Sequence, residues 1–142
     1  MKQTVVWVHG DCLSPYGPSL QAAPGSPAIF VFDDDLLRDW AISLKRIAFI
    51  YECLLELPVI IRRGDVAEQV VQFAHEHAAD RILTTDSPSP RFDQIARRIV
   101  HSMPSGSRLE VYKVEPLIAF DGSLDLKRFS RYWRTARKYA FP

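Results

Sequence analysis

Four short clusters in this 142-residue sequence carry the side chains best suited to chemistry: Gly10-Asp11-Cys12, Asp33-Asp34-Asp35, Arg63-Gly64-Asp65 and Thr85-Asp86-Ser87. Each follows an apolar run, so each falls where a strand would hand over to a loop. Carboxylates there could ligate a hard cation such as Mg²⁺, which favours oxygen donors. Aspartate just after a strand is also a strong helix cap, and at Asp33-Asp34-Asp35 capping is the favoured reading. Cys12 has no base beside it and reads as a small loop residue. His9 is the best placed histidine, yet no Cys, Asp or Glu stands in a recognisable triad order with it. His75, His77 and His101 fall on helical stretches and read as surface residues. The sequence therefore nominates ligand contacts (Asp11, Cys12, Asp33, Asp34, Asp86 and Ser87) and assigns neither a catalytic group nor a metal site.

The elements that must position these clusters follow from apolar spacing. "TVVWVH" (4–9), "AIFVF" (28–32), "VIIRR" (59–63), "RILTT" (81–85) and "RLEVYKV" (108–114) read as strands. Between the first two, Pro15, Gly17, Pro18, Pro24, Gly25 and Pro27 leave a loop with at most one helical turn. From Leu36 to Leu57 apolar residues recur at helical spacing, with Trp40, Leu44, Ile47, Tyr51, Leu54 and Leu55 near one face and Pro58 as the stop. Asp65 and Glu68 form a capping-box-like start to the next helix, residues 91–103 make another, and Phe129 to Tyr139 a last one. Strands alternating with helices imply crossover units and a parallel sheet. The expected architecture is a Rossmann-like three-layer α/β/α sandwich with a five-stranded parallel sheet, as one domain over 1–142.

Ligands of open α/β sheets bind at the carboxyl ends of the strands, near the switch in strand order. The four clusters define that edge. The glycine-rich phosphate cradles are absent: no G-x-G-x-x-G follows the first strand, and no G-x-x-x-x-G-K-[ST] occurs. Without closely spaced glycines the backbone cannot approach a pyrophosphate, which argues against a tightly held dinucleotide.

Charge is unevenly spread. Six of the eighteen basic residues lie within Lys127–Pro142, which holds no acid, so twelve basic residues face seventeen acidic ones in the remainder. A mildly acidic body with a basic tail argues against a whole-domain nucleic-acid binder. Two cysteines are too few for a disulfide scaffold, and Cys53 reads as a buried thiol. No signal-peptide pattern or membrane-length apolar run is present, so the expected location is cytoplasmic.

Three segments, in order, resemble the N-terminal α/β domain of the DNA photolyase/cryptochrome family. "VVWVHGDCLSPYGPSLQAA" is similar to that family's opening, with Val6, Trp7, Asp11, Leu13 and Leu20 on matching positions. "VIIRRGDVAEQVVQFAHEHAADRILTTD" places Arg63, Gly64 and Asp65 on the family's central triplet. "DLKRFSRYWRTARK" resembles the segment that closes the domain. The resemblance implies an antenna-type domain that could hold a folate or deazaflavin at the carboxyl edge. FAD is not expected, because the helical domain that binds it and the lesion lies outside this chain. Departures include His9-Gly10 for an arginine pair, Tyr16-Gly17 for Asp-Asn, Thr84 for an asparagine, and Ser87-Pro88 for a Tyr-Glu pair.

The tail combines an apolar stripe (Phe129, Tyr132, Trp133, Ala136) with a basic one (Lys127, Arg131, Arg134, Lys138). Its plain reading is a packed helix with solvated charges. A surface that normally meets another domain would instead seek a homo-oligomer or a separate partner protein through Phe129, Tyr132, Trp133, Arg131 and Arg134. Single-stranded nucleic acid is the weaker alternative. The leading expectation is a stand-alone photolyase-like module, non-catalytic by itself, that binds a small ligand or a protein. The alternatives are a nucleotide-binding enzyme or sensor using Asp11, Asp33 and Asp86, and a fragment of a longer DNA-repair photolyase.

Overall fold

The most apolar runs occupy the middle of one parallel sheet with strand order β3-β2-β1-β4-β5. In a computed structural model, which describes residues 3–116, 118, 120 and 122–140, the chain runs β1 (Gln3–Val8), α1 (Pro18–Ala22), β2 (Ala28–Asp33), α2 (Asp34–Asp39), α3 (Leu44–Leu55), β3 (Val59–Gly64), α4 (Val66–Glu76), β4 (Ala79–Thr85), α5 (Pro90–Ser102), β5 (Arg108–Tyr112) and α6 (Phe129–Ala140). All four strand pairings are parallel, with Val6 opposite Ala28 on one side and Leu83 on the other. The chain is a five-stranded parallel α/β fold of Rossmann-like type, as its sequence implied. The order reverses between β1 and β4, so a crevice opens between their following loops.

Alternation along each central strand divides the core in two. Val5 and Trp7 of β1, Ile29 and Val31 of β2 and Ile82 of β4 face α4 and α5, where Val70, Phe73 and Ile99 are fully buried. Val6, Val8, Ala28, Phe30 and Leu83 face the opposite way, toward Leu54 and Leu57 at the end of α3. Strands buried on both faces need no polar alternation, which explains the unbroken apolar runs.

The Arg63-Gly64-Asp65 triplet shows how a strand becomes a helix. Gly64 has φ of +142°, a conformation that strains residues bearing a Cβ. Asp65 then caps α4 by accepting from the Glu68 N–H at 3.0 Å, and Arg98 grips the same carboxylate at 2.8 and 3.0 Å. That Arg98 hydrogen bond, more than any other contact, holds the Asp65 carboxyl below the ordinary aspartate range.

Three expectations are corrected. The single helix expected over 36–57 is two helices, because Trp40 closes α2 and Ala41 turns left-handed at φ 44°. Ser43 then opens α3 by accepting from the Arg46 N–H. Its packed face is also different. Ile47, Ile50 and Leu54 lie toward the protein, while Leu44 and Leu55 are 80% and 65% exposed. Cys53, expected to be buried, is half-buried and free, as is Cys12.

Among the described residues, no helix is long and apolar enough to cross a membrane.

Candidate ligand site at the carboxyl edge of the sheet

β1 delivers its last side chains to the switch point. The rings of Trp7 and Phe92 stack with centroids 5.4 Å apart and planes 8° apart, and His9 packs against both at 5.5 and 5.2 Å. His9 Nε2–H donates to the Thr85 carbonyl at 2.5 Å, leaving Nδ1 to accept from the Asp11 N–H at 3.3 Å. A carbonyl only accepts, so this wiring fixes the tautomer. It also ties the loop after β1 to the end of β4.

A second set of bonds reinforces that tie. The Ser87 hydroxyl donates to Asp11 Oδ2, the Ser87 N–H donates to Asp86 Oδ1 at 2.9 Å, and the Ser89 N–H donates to the Ser87 Oγ at 3.2 Å. Beneath them the buried Thr84 hydroxyl donates to the Trp7 carbonyl at 2.9 Å. Serine, histidine and aspartate are thus neighbours, but not as a nucleophilic triad. The serine hydroxyl is turned to the Asp11 carboxylate, and the imidazole is bonded to backbone groups of Thr85 and Asp11, so the histidine does not face the serine as a triad requires.

The other wall comes from β2 and its helices. Asp33 caps α2 by accepting from the Asp35 and Leu36 N–H groups at 2.9 and 3.3 Å, and its second oxygen pairs with Arg91 of α5. Burial holds the Arg91 guanidinium below its ordinary pKa. Between these walls lies a cavity of about 220 Å³, with Trp7, His9 and Phe92 on one side and Leu37, Ile47 and Ile50 on the other. Asp11, Asp33, Ser89, Arg91 and Arg46 provide its polar positions. Arg91 is paired with Asp33, whereas Arg46 makes no ion pair among the described residues. The site is therefore an apolar slot of aromatic character with one uncommitted cation. Its volume is below the roughly 300–1,000 Å³ of drug-sized pockets, which suits one ring system better than a dinucleotide.

The sequence-nominated residues are divided by this geometry. Asp11 and Asp33 line the cavity. Asp86 and Ser87 brace the adjoining loop without lining it. Asp34 pairs with Arg63 at 2.5 Å away from the cavity, and Cys12 lines a separate crevice with Ser14 and Ser19. Arg46, Arg91, Phe92 and the apolar wall were not nominated; three distant segments supply them, and spacing within one segment carries no trace of that meeting. Among the described residues no three His, Cys, Asp or Glu side chains cluster as a metal site requires.

The tail residues lie elsewhere. On α6, Ala136 is buried, Tyr132 and Trp133 are half-buried, and Phe129 is 74% exposed while stacked on Trp133 with ring centroids 6.0 Å apart. Arg131 reaches Asp125 at 3.5 Å, and Arg134 is exposed. None of these residues belongs to the two core clusters.

Fold and site together define a Rossmann-like α/β protein with a small slot at its topological switch point. No protein-family model matches the chain, and no curated protein matches it. Among solved structures it is similar to the hypothetical protein MJ0577, the subject of a structural-genomics test case in assigning biochemical function from structure. That likeness covers 82% of this chain and 99% of the other, with a TM-score of 0.48 and 11% identity.

Proposed function

We propose that this chain is a ligand-binding module for a small planar ring carrying an anionic group, of the nucleoside monophosphate class. The observation that supports it is the 220 Å³ slot, in which aromatic and aliphatic walls meet the single unpaired Arg46. A flat heteroaromatic ring gains from the exposed Trp40 ring on the slot's outer wall and from the desolvation of its apolar lining. A phosphate would lie toward Arg46 and toward the amino end of α5, whose dipole favours negative charge. The missing glycine-rich loop is consistent with one phosphate group rather than a pyrophosphate. No triad is assembled at the slot, and the module is read as a binder rather than an enzyme.

The photolyase-like resemblance gives a second reading, an antenna-type domain holding a pterin or deazaflavin. The likeness at Val6, Trp7, Asp11 and the Arg63-Gly64-Asp65 triplet supports it. Against it, Thr84 is committed to the Trp7 carbonyl and Ser87 to Asp11, so neither offers a free polar group to a pterin.

The experiment is a titration with AMP, adenosine, FMN and folate, followed by tryptophan fluorescence, since Trp7 and Trp40 both line the slot. AMP is expected to saturate, and Arg46→Ala to weaken AMP about tenfold while leaving adenosine unchanged, as loss of a charge-assisted contact predicts. Saturation by folate alone would favour the antenna reading. No saturable response to any of the four at millimolar concentration would overturn both.

A further inference from the structure

A different surface carries a second conclusion. Leu44, Ala48, Tyr51 and Leu55 stand at i, i+4, i+7 and i+11 of α3, and all four are exposed. This is the 4-3-4 spacing of a helix-pairing seam. The sheet does not use it, because α3 turns Ile47, Ile50 and Leu54 inward instead. Lys45 and Glu52 flank the seam seven residues apart on its same side, both exposed and neither in an ion pair among the described residues.

We propose that this seam pairs with a second copy of the chain, α3 against α3 in antiparallel orientation about a twofold axis between Ala48 and Tyr51. Under that symmetry Leu44 meets Leu55 of the second copy, and Ala48 meets Tyr51. A twofold interface must be self-complementary, with every contact made twice. The seam satisfies that requirement in size, since the small Ala48 faces the large Tyr51. It satisfies it in charge as well. Antiparallel pairing brings Lys45 of each copy beside Glu52 of the other, giving two opposite-charge contacts. A parallel twofold pair would put the two copies' Lys45 and Glu52 on opposite sides of the seam and make neither contact. The charges thus select both the partner and its direction. The expectation of a homo-oligomer thereby rests on α3 rather than on the aromatic tail.

The test is the dissociation constant of the full chain by analytical ultracentrifugation, with circular dichroism confirming that each variant is folded. Lys45→Glu sets acid against acid at both contacts and is expected to weaken the dimer on the order of tenfold. Glu52→Lys should do the same. The double variant Lys45→Glu/Glu52→Lys restores opposite charges and should recover the original constant. Leu44→Glu should leave only monomer. A chain that is monomeric at the highest soluble concentration overturns the proposal, and so does a dimer in which the double variant fails to recover. Neither outcome bears on ligand binding at the slot.

Discussion

The two faces of the sheet are finished to different degrees. On one, α4 and α5 close over Val5, Trp7, Ile29 and Ile82, and the fully buried Phe73 and Ile99 complete the seal. On the other, the end of α3 packs through Leu54 while the same helix leaves Leu44, Phe49, Tyr51 and Leu55 in solvent. α3 and α4, of similar apolar content, therefore do different work. The first face holds the fold together, and the second has apolar surface left over for binding. The slot lies where the two regimes meet, between the sealed Trp7/Phe92 stack and the more loosely held α2–α3 wall.

The largest expected difference is in stability. Phe73→Ala should cost about 3–5 kcal/mol, because it empties a fully buried ring site. Phe49→Ala, on the open face and off the α3 seam, should stay within about 0.5 kcal/mol by urea denaturation. Equal losses at the two positions would erase the distinction between the faces.

A smaller effect is expected at the start of α4. Asp65→Ala removes both the cap and the Arg98 contact and should cost about 1–2 kcal/mol. Because the folded-state pKa of Asp65 is depressed, its charge contributes stability that is present above the unfolded aspartate pKa and is lost as pH falls through the lower folded value. The urea midpoints of the wild type and Asp65→Asn should therefore lie furthest apart near neutrality and converge in acid. A gap that widens on acidification would contradict this sign.

The smallest effect on stability belongs to the slot's outer wall. Trp40 is 66% exposed, so Trp40→Ala should leave the thermal midpoint nearly unchanged while weakening AMP in the fluorescence titration. A large drop in the midpoint would show that the α2–α3 wall is part of the sealed core.

Much of the fold could be read from local pattern. β1, β2 and β4 announced themselves as short apolar runs with punctuated ends, and Asp65 with Glu68 marked the start of α4. The break between α2 and α3 was hidden because apolar residues continue through Trp40 and Ile42 at helical spacing. Its one local cue was Ser43, which lacks a Glu or Gln three positions later; Arg46 stands there. The face of α3 was misread for a related reason. The helix carries two apolar stripes, and periodicity cannot say which one meets the sheet. The site was legible in part. Asp11 and Asp33 follow strands and could be found from that alone. Arg46, Arg91 and Phe92 reach the slot only through crossovers that bring α3 and α5 beside β1.

The most direct measurement is a ¹H–¹⁵N NMR titration of the full chain with AMP. Binding at the slot predicts that the Trp7 and Trp40 indole signals and the backbone amides of Gly10, Asp11 and Arg46 shift together and saturate, while those of β5 and α6 stay in place. Shifts confined to the basic α6, or none at millimolar AMP, would contradict the account.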